Sequence, residues 1–189
     1  MRLKKYYFKK IKSTNDQAAQ MIKKGKEKGI IIADLQTKGR GQYGKKWISQ
    51  KGNLFISIFF EINQKRINFK QFAILNAFIL RKLVSNSFSK NIKIKWPNDL
   101  LYKKDKICGI LQEVINHNQK DYLIVGIGLN TNFSPRNKSF SSTSLKNMVN
   151  KNIDNKEILQ NIKNKYEKFL AEVKKFTYKK LEKKYKKLK

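Results

Sequence analysis

A single cysteine, a single histidine and two prolines are spread over 189 residues, and only 13 acidic side chains stand against 44 basic ones. One cysteine excludes an internal disulfide and makes a reducing compartment, the cytoplasm, the simpler expectation. The lone histidine, His117, falls in an asparagine-rich turn. A Cys–His or Ser–His–Asp nucleophile built around Cys108 is therefore poorly supported, and a zinc site of the usual kind is excluded. Runs of roughly eighteen apolar residues are missing, and Met1 to Lys12 carries lysines without a sustained apolar stretch, so neither a membrane span nor a signal peptide is indicated.

What the chain has in excess is lysine. A net charge of +31 invites a nucleic-acid reading, because dense cationic surface gains affinity by releasing counterions from phosphates. The lysines run from Lys4 to Lys189 without a concentrated tract and accompany many asparagines and isoleucines. That distribution describes a solvated exterior with weak, nonspecific affinity for polyanions. Hydrophobic residues at 40% and aromatics at 12%, arranged in short blocks, are enough for a core.

The pattern predicts an edge strand over 3–11 and a helix from about 14 to 24, with Thr14 and Gln17 at capping-box spacing. Strands follow at 30–35, 54–61, 92–95 and 122–131, and residues 100–102 and 106–115 read as an antiparallel hairpin. Phe72, Leu75, Ile79 and Leu83 mark an amphipathic helix over 69–84. Segment 134–150 reads as irregular, and 153–170 and 178–188 as helices. The fold class is α+β: a mixed, mainly antiparallel sheet with helices packed on one side. Residues 1–175 form the domain and 176–189 a basic C-terminal helix, with Tyr178, Leu181, Tyr185 and Leu188 on one face that packs against it or, alternatively, meets a partner.

Four stretches carry chemistry. In Gln36 to Trp47, Gly39, Gly41 and Gly44 lie among cations and let main-chain N–H groups approach a phosphate, while Arg40 can fork onto an oxyanion. The spacing is neither a P-loop nor a dinucleotide fingerprint, and the stretch is equally readable as a basic surface loop. In Lys95-Trp96-Pro97-Asn98-Asp99 the proline ends a strand; Asp99 can bind Mg²⁺, take a proton from an amine, or simply cap the turn. Simple alternation places Lys106, Cys108, Ile110 and Gln112 on one face, with Lys106 aimed at the sheet or trailing from a turn. In Val125 to Asn130, Gly126 and Gly128 mark either a bulge or a close approach, and Asn130 offers a donor and an acceptor that suit an adenine edge.

In this order, Ser13-Thr14-Asn15, Gln36 with Gly39-Arg40-Gly41 and Trp47, the KWPND block at 95–99, Lys106 with Gly109-Ile110-Leu111 and Glu113, and Gly126 to Asn130 closely resemble the catalytic domain of biotin protein ligases. The resemblance extends from about residue 6 to 175. It implies a class II synthetase-like fold and a two-step reaction: biotin and Mg·ATP give biotinyl-5′-adenylate, which is passed to a lysine of a biotin carrier protein such as that of acetyl-CoA carboxylase. It further implies that Ser13, Thr14 and Gln36 serve the biotin ring, that Arg40 and Lys106 face its carboxylate with Asp99 and Mg²⁺ nearby, and that Asn15, Gly39, Gly41, Gln42, Trp47, Gly109 and Asn130 complete the biotin and ATP site. Gln42 and Lys45 stand where many relatives carry arginine, which weakens the loop's expected hold on the adenylate. No winged-helix segment precedes Tyr6 and no SH3-like β domain follows, so repression is not expected. The expectation is a monomer or weak homodimer with no specific nucleic acid and no membrane. The rivals are a lipoate or octanoyl ligase of the same superfamily, a basic nucleic-acid-binding module, and a catalytically silent relative.

Overall fold

The nine residues Leu54–Ile62 (LFISIFFEI) are rich in branched and aromatic side chains and apolar at both parities, the composition of a strand covered on both faces. In the computed structural model of the chain, which describes residues 2–135 and 140–187, they form β3 at the centre of a sheet. Its companions are β1 (Lys5–Ile11), β2 (Lys28–Gln36), β4 (Ile92–Lys95), β5 (Asp99–Tyr102), β6 (Asp105–His117) and β7 (Lys120–Leu129). Among the described residues the order is β1-β2-β3-β7-β6-β5-β4. Only β1 and β2 run parallel, so the sheet is mixed and mainly antiparallel, as the sequence predicts, with β1 at one edge.

Alternation along the strands sorts their side chains between two cores. Leu123, Val125, Ile127 and Leu129 of β7 face α2 (Phe69–Ser87), α4 (Asn155–Val173) and α5 (Tyr178–Lys186), where Phe72, Leu75, Tyr166, Phe169, Leu181 and Tyr185 fill the larger core. Asn68 opens α2 with a full capping box through Gln71. Edge-to-face ring contacts run from Phe60 to Phe72, Phe169 and Tyr185, tying α5 into this core, although Leu188 lies outside the described residues.

Helices thus dominate one face. The exception is α1 (Thr14–Lys23), which lies on the other, where Ala18 and Ile22 pack with Ile31, Phe59, Tyr122 and Ile124. Segment 134–150 is not wholly irregular, since α3 (Leu145–Val149) sits inside it with Ser144 as its cap; residues 136–139 lie outside the described residues.

α1 shields only part of its face. Past Ile124, β7 continues at the same parity as Gly126 and Gly128, beyond the cluster that α1 covers.

One irregularity corrects the alternation read from the sequence. β5 pairs Leu100 with Cys108 but Leu101 with Lys106, leaving Ile107 without a partner. An extra residue of this kind is a β-bulge, and side chains on its two sides change face. Cys108 and Ile110 point into the helical core and Gln112 meets Asn76 of α2, whereas Lys106 emerges on the opposite face beside Asp99.

Candidate active site

The stretch from Gly39 to Trp47 folds back on itself as a tongue. Trp47 N–H donates to Gly39 O at 2.9 Å, Arg40 and Lys46 form a bridge, and Gly41 N–H donates to Lys45 O at 2.6 Å. The tip, Gln42–Gly44, turns through positive φ at Tyr43 (54°) and Gly44 (73°). The loop lies on the surface, with Arg40, Tyr43, Lys45 and Lys46 exposed, and is held together by its own backbone bonds. Part of the anion reading fails, because the Gly41 N–H is spent inside the tongue; Gly39 is required by closeness, a Cβ there standing 2.7 Å from Trp47 O.

The tongue delivers Trp47 onto the sheet. Gly109 of β6 and Gly128 of β7 are partners across the ladder, and a Cβ on either would collide with the indole. A Cβ on Gly126 would collide with the Asn15 amide. These glycines make room for side chains of the tongue and α1, which is the close-approach reading with its occupants identified.

On the β2–β3 side the start of α1 supplies hydroxyls and amides. Ser13, rather than Thr14, caps the helix, accepting from Asp16 N–H at 3.4 Å. Thr14 is thereby free to donate from N–H and Oγ1 to Gln36 Oε1 at 2.8 and 3.0 Å, and Gln36 Nε2 donates to Ser49 Oγ at 3.1 Å. Asn15 Nδ2 donates to Glu113 Oε2 at 2.6 Å. Fully buried Ser57 lies 2.8 Å from Thr14 Oγ1 and 2.5 Å from Asn15 Oδ1, with one proton to offer between them. Sequence reasoning missed Ser57. Its signal was available: a hydroxyl amid apolar neighbours in a strand buried on both faces needs a polar partner.

On the β5–β6 side Lys106 Nζ sits 2.7 Å from Asp99 Oδ1, both side chains less than one-fifth exposed, and lies 5.2 and 5.4 Å from the ring centroids of Trp47 and Phe140. A cation desolvated between two aromatic rings and a carboxylate is fixed in place before any ligand arrives. Asn98 secures the start of β5, its main-chain O accepting from Ile110 N–H at 2.8 Å. Asn130, 1% exposed, donates through Nδ2 to Thr143 O and Lys106 O, while its Oδ1 has no hydrogen-bond partner among the described residues.

Arg40 is held differently. Its Nη1 and Nη2 bond to Glu113 at 2.8 and 2.9 Å, and Nη2 also meets Asp16 at 2.7 Å. Partial burial works to lower its pKa, but the hydrogen bonds and charges of Glu113 and Asp16 outweigh it, and the net shift is upward. Cys108 is no nucleophile: burial, and then the Asp99 charge, push its thiol up to about 12.

Together these elements line one cavity of about 930 Å³, the upper range for a small-molecule site. Ser13, Thr14, Asn15, Gln36, Arg40, Gly41, Gln42, Trp47, Asp99, Lys106, Gly109 and Asn130 all reach it; Gly39 does not, lying at the neck of the tongue. Lys45, read from the sequence as standing where relatives carry arginine, and Lys95 of the KWPND block also line it, as do Lys46 and Lys104. Asp99 is the one acid among the described lining residues, so the cavity is strongly cationic. No cluster of three or more His, Cys, Asp or Glu suited to a metal occurs among the described residues, and none of the described helices is long and apolar enough to cross a membrane.

Residues 7–130 match the model of the biotin/lipoate A/B protein ligase family. The chain belongs to that family. It is 29% identical over 159 residues to the bifunctional ligase/repressor BirA of Bacillus subtilis, covering 80% of this chain and 49% of that protein. Biotin–protein ligase 2 of Arabidopsis thaliana is 32% identical over 127 residues, 64% of this chain and 38% of its own length. Among solved structures, biotin protein ligase from Aquifex aeolicus in complex with biotin and ATP superposes with a TM-score of 0.79 at 29% identity, covering 96% of this chain and 76% of that one. The α+β fold is therefore that of a family catalytic domain, and the chain spans about half or less of the length of these two curated relatives.

Proposed function

We propose that this chain activates biotin with Mg·ATP to biotinyl-5′-adenylate and transfers it to a lysine of a biotin carrier protein, such as that of acetyl-CoA carboxylase, in the cytoplasm. The observation that carries the reading is the joining, in one cavity, of a hydroxyl-and-amide end (Ser13, Thr14, Asn15, Gln36) to a fixed cation (Lys106), with the tongue between them. A neutral bicyclic urea needs the first and a carboxylate attacking phosphorus needs the second.

In the first step a biotin carboxylate oxygen attacks the α-phosphorus of ATP and pyrophosphate leaves; negative charge gathers where Lys106 is held. Lys106 stabilises it, and Asp99 keeps the ammonium in position. The unpartnered Asn130 Oδ1 suits an amino donor such as that on the adenine edge. Mg²⁺ commonly binds through one or two carboxylates together with phosphate oxygens, so Asp99, the single acid among the described lining residues, fits an ion brought in with ATP. In the second step the carrier amine attacks the acyl carbon, AMP leaves, and the amine proton goes to a nearby base, for which Asp99 is the candidate. Trp47 and the tongue keep water from the mixed anhydride.

A lipoate or octanoyl ligase would present the same charged end. Biotin-dependent exchange of pyrophosphate into ATP, compared with lipoate-dependent exchange, separates the two, and labelled biotin appearing on a carrier domain tests transfer. Exchange with lipoate but not biotin overturns the choice of acid. Label that persists after the carrier lysine is replaced overturns the transfer step. Against the nucleic-acid reading, Trp47, an aromatic that could stack on a base, packs instead against Gly109 and Gly128.

A further inference from the structure

The two cations expected to face the substrate carboxylate sit in opposite electrostatic settings. Lys106 has one carboxylate partner and an ammonium with three donors, only one of which Asp99 needs, so the pair is neutral and keeps donors to offer. Arg40 has two carboxylate partners. Three hydrogen bonds already engage its guanidinium, two of them the parallel fork onto Glu113, and the group of three carries a net charge of one negative unit. A substrate carboxylate arriving there meets occupied donors and a surplus of negative charge.

The placement of these partners is equally specific. Arg40 belongs to the tongue, Glu113 to β6 and Asp16 to the first turn of α1. Glu113 Oε2 accepts at once from Arg40 and from Asn15 Nδ2, and the other end of the Asn15 amide meets buried Ser57. The tongue, the hydroxyl-and-amide end and the sheet are thus joined through a single carboxylate.

We infer that Arg40, Glu113 and Asp16 form a clasp that positions the tongue over the cavity, with Glu113 the positioning residue shared between the tongue and Asn15, and that Lys106 is the cation that meets the reacting carboxylate. The inference rests on the biotin-activating reading for its kinetic consequences but not for the clasp itself. Arg40 acts through the tongue. Glu113→Gln is the informative change, because a glutamine oxygen still accepts from Asn15 while its amide can no longer receive the arginine fork.

The test uses the full chain and the variants Glu113→Gln, Arg40→Ala and the double, with two measurements. Hydrogen exchange of the 39–47 amides without substrate reads the clasp: each single variant exchanges about fivefold faster, equivalent to about 1 kcal/mol, and the double is no faster than the faster single. Amides of α1 and β6 keep their protection. Biotin-dependent pyrophosphate exchange reads the consequence: KM for biotin rises by a similar factor in both single variants, and kcat changes less. Unchanged or lower KM in Glu113→Gln beside a raised KM in Arg40→Ala overturns the proposal, because freeing Arg40 would then have helped a direct contact. Faster exchange spread over α1 and β6 with a lowered Tm also overturns it, reducing the cluster to general stability. If the unaltered chain exchanges no pyrophosphate with biotin, the proposed function fails, and tongue protection alone still decides the clasp.

Discussion

The two faces of the sheet are built from the same strands and do opposite work. On the helical face every second residue of β3, β6 and β7 is apolar, and the polar exceptions are satisfied internally: Tyr166 donates to Asn76 Oδ1 at 2.9 Å, and Asn76 bonds to Gln112. On the other face the cluster under α1 ends at Phe59 and Ile124, and beyond it Ser57, Gly126 and Gly128 meet the Asn15 amide and the Trp47 indole. One step along a strand therefore separates a position that holds the fold from one that lines the cavity. The sharpest way to break this comparison is to empty each face in turn. Phe169→Ala on the helical side should cost about 3–5 kcal/mol in denaturant unfolding and leave biotin KM unchanged in the protein that remains folded. Lys106→Ala should lower biotin-dependent pyrophosphate exchange by about 10²–10³. Because alanine also strands Asp99, Lys106→Gln, which keeps a donor for that carboxylate, should show nearly the same loss with Tm within about 3 °C of the parent. Near-normal exchange in either variant removes Lys106 from the chemistry.

A change at the boundary between the faces should disturb both. Gly128→Ala drives a Cβ into the Trp47 indole, so it should cost about 1–3 kcal/mol, raise biotin KM and shift tryptophan fluorescence together. Loss of stability without a change in KM would mean that Trp47 does not border the ligand. A smaller effect marks the far side of the bulge. Burial first, and then the Asp99 charge, raise the Cys108 thiol from 9.0 in the ordinary case to about 12. Between those values the unfolded chain has released the proton and the folded chain keeps it, so folding stability falls as pH rises above about 9. The stability advantage of the parent over Cys108→Ala should shrink across that range, and an advantage that is constant with pH would place the thiol in solvent.

Much of this arrangement was legible. Strand and helix positions followed from periodicity because their side chains alternate between water and core, and the KWPND block and the Gly126 to Asn130 strand supplied residues that the fold brings to one cavity. What stayed hidden was non-local. The bulge at Ile107 adds one unpaired residue that no composition signals, and it moves Lys106 to the face opposite to the one alternation assigns. Arg40 was read as a free cation, since its partners Asp16 and Glu113 lie 24 and 73 residues away. Capping by Ser13 instead of Thr14 is a contest between adjacent hydroxyls, decided by Gln36 drawing Thr14 into the cavity. The helix expected to share one face with the rest, α1, lies on the other: β1 and β2 are parallel, so the connection between them must cross a face of the sheet, and the right-handed preference of such crossovers selects which one.

The weakest expected effect lies at the tip of the tongue, where the comparison between faces gives way to solvent. Gln42 lines the cavity, but its neighbour Tyr43 is 93% exposed, so a charge placed at this turn is screened and works through a flexible side chain. The resemblance expects an arginine at this position, a planar fork that can close on phosphate oxygens where glutamine offers a neutral amide. Gln42→Arg should therefore slow the escape of preformed adenylate by about two- to fivefold, the scale of one exposed ion pair, when labelled intermediate is chased with unlabelled biotin. Stability should not move, since the tip contributes no residue to either core. Equal retention in the variant and the parent would mean that the clasp at the neck of the tongue, rather than charge at its tip, governs how long the intermediate stays enclosed.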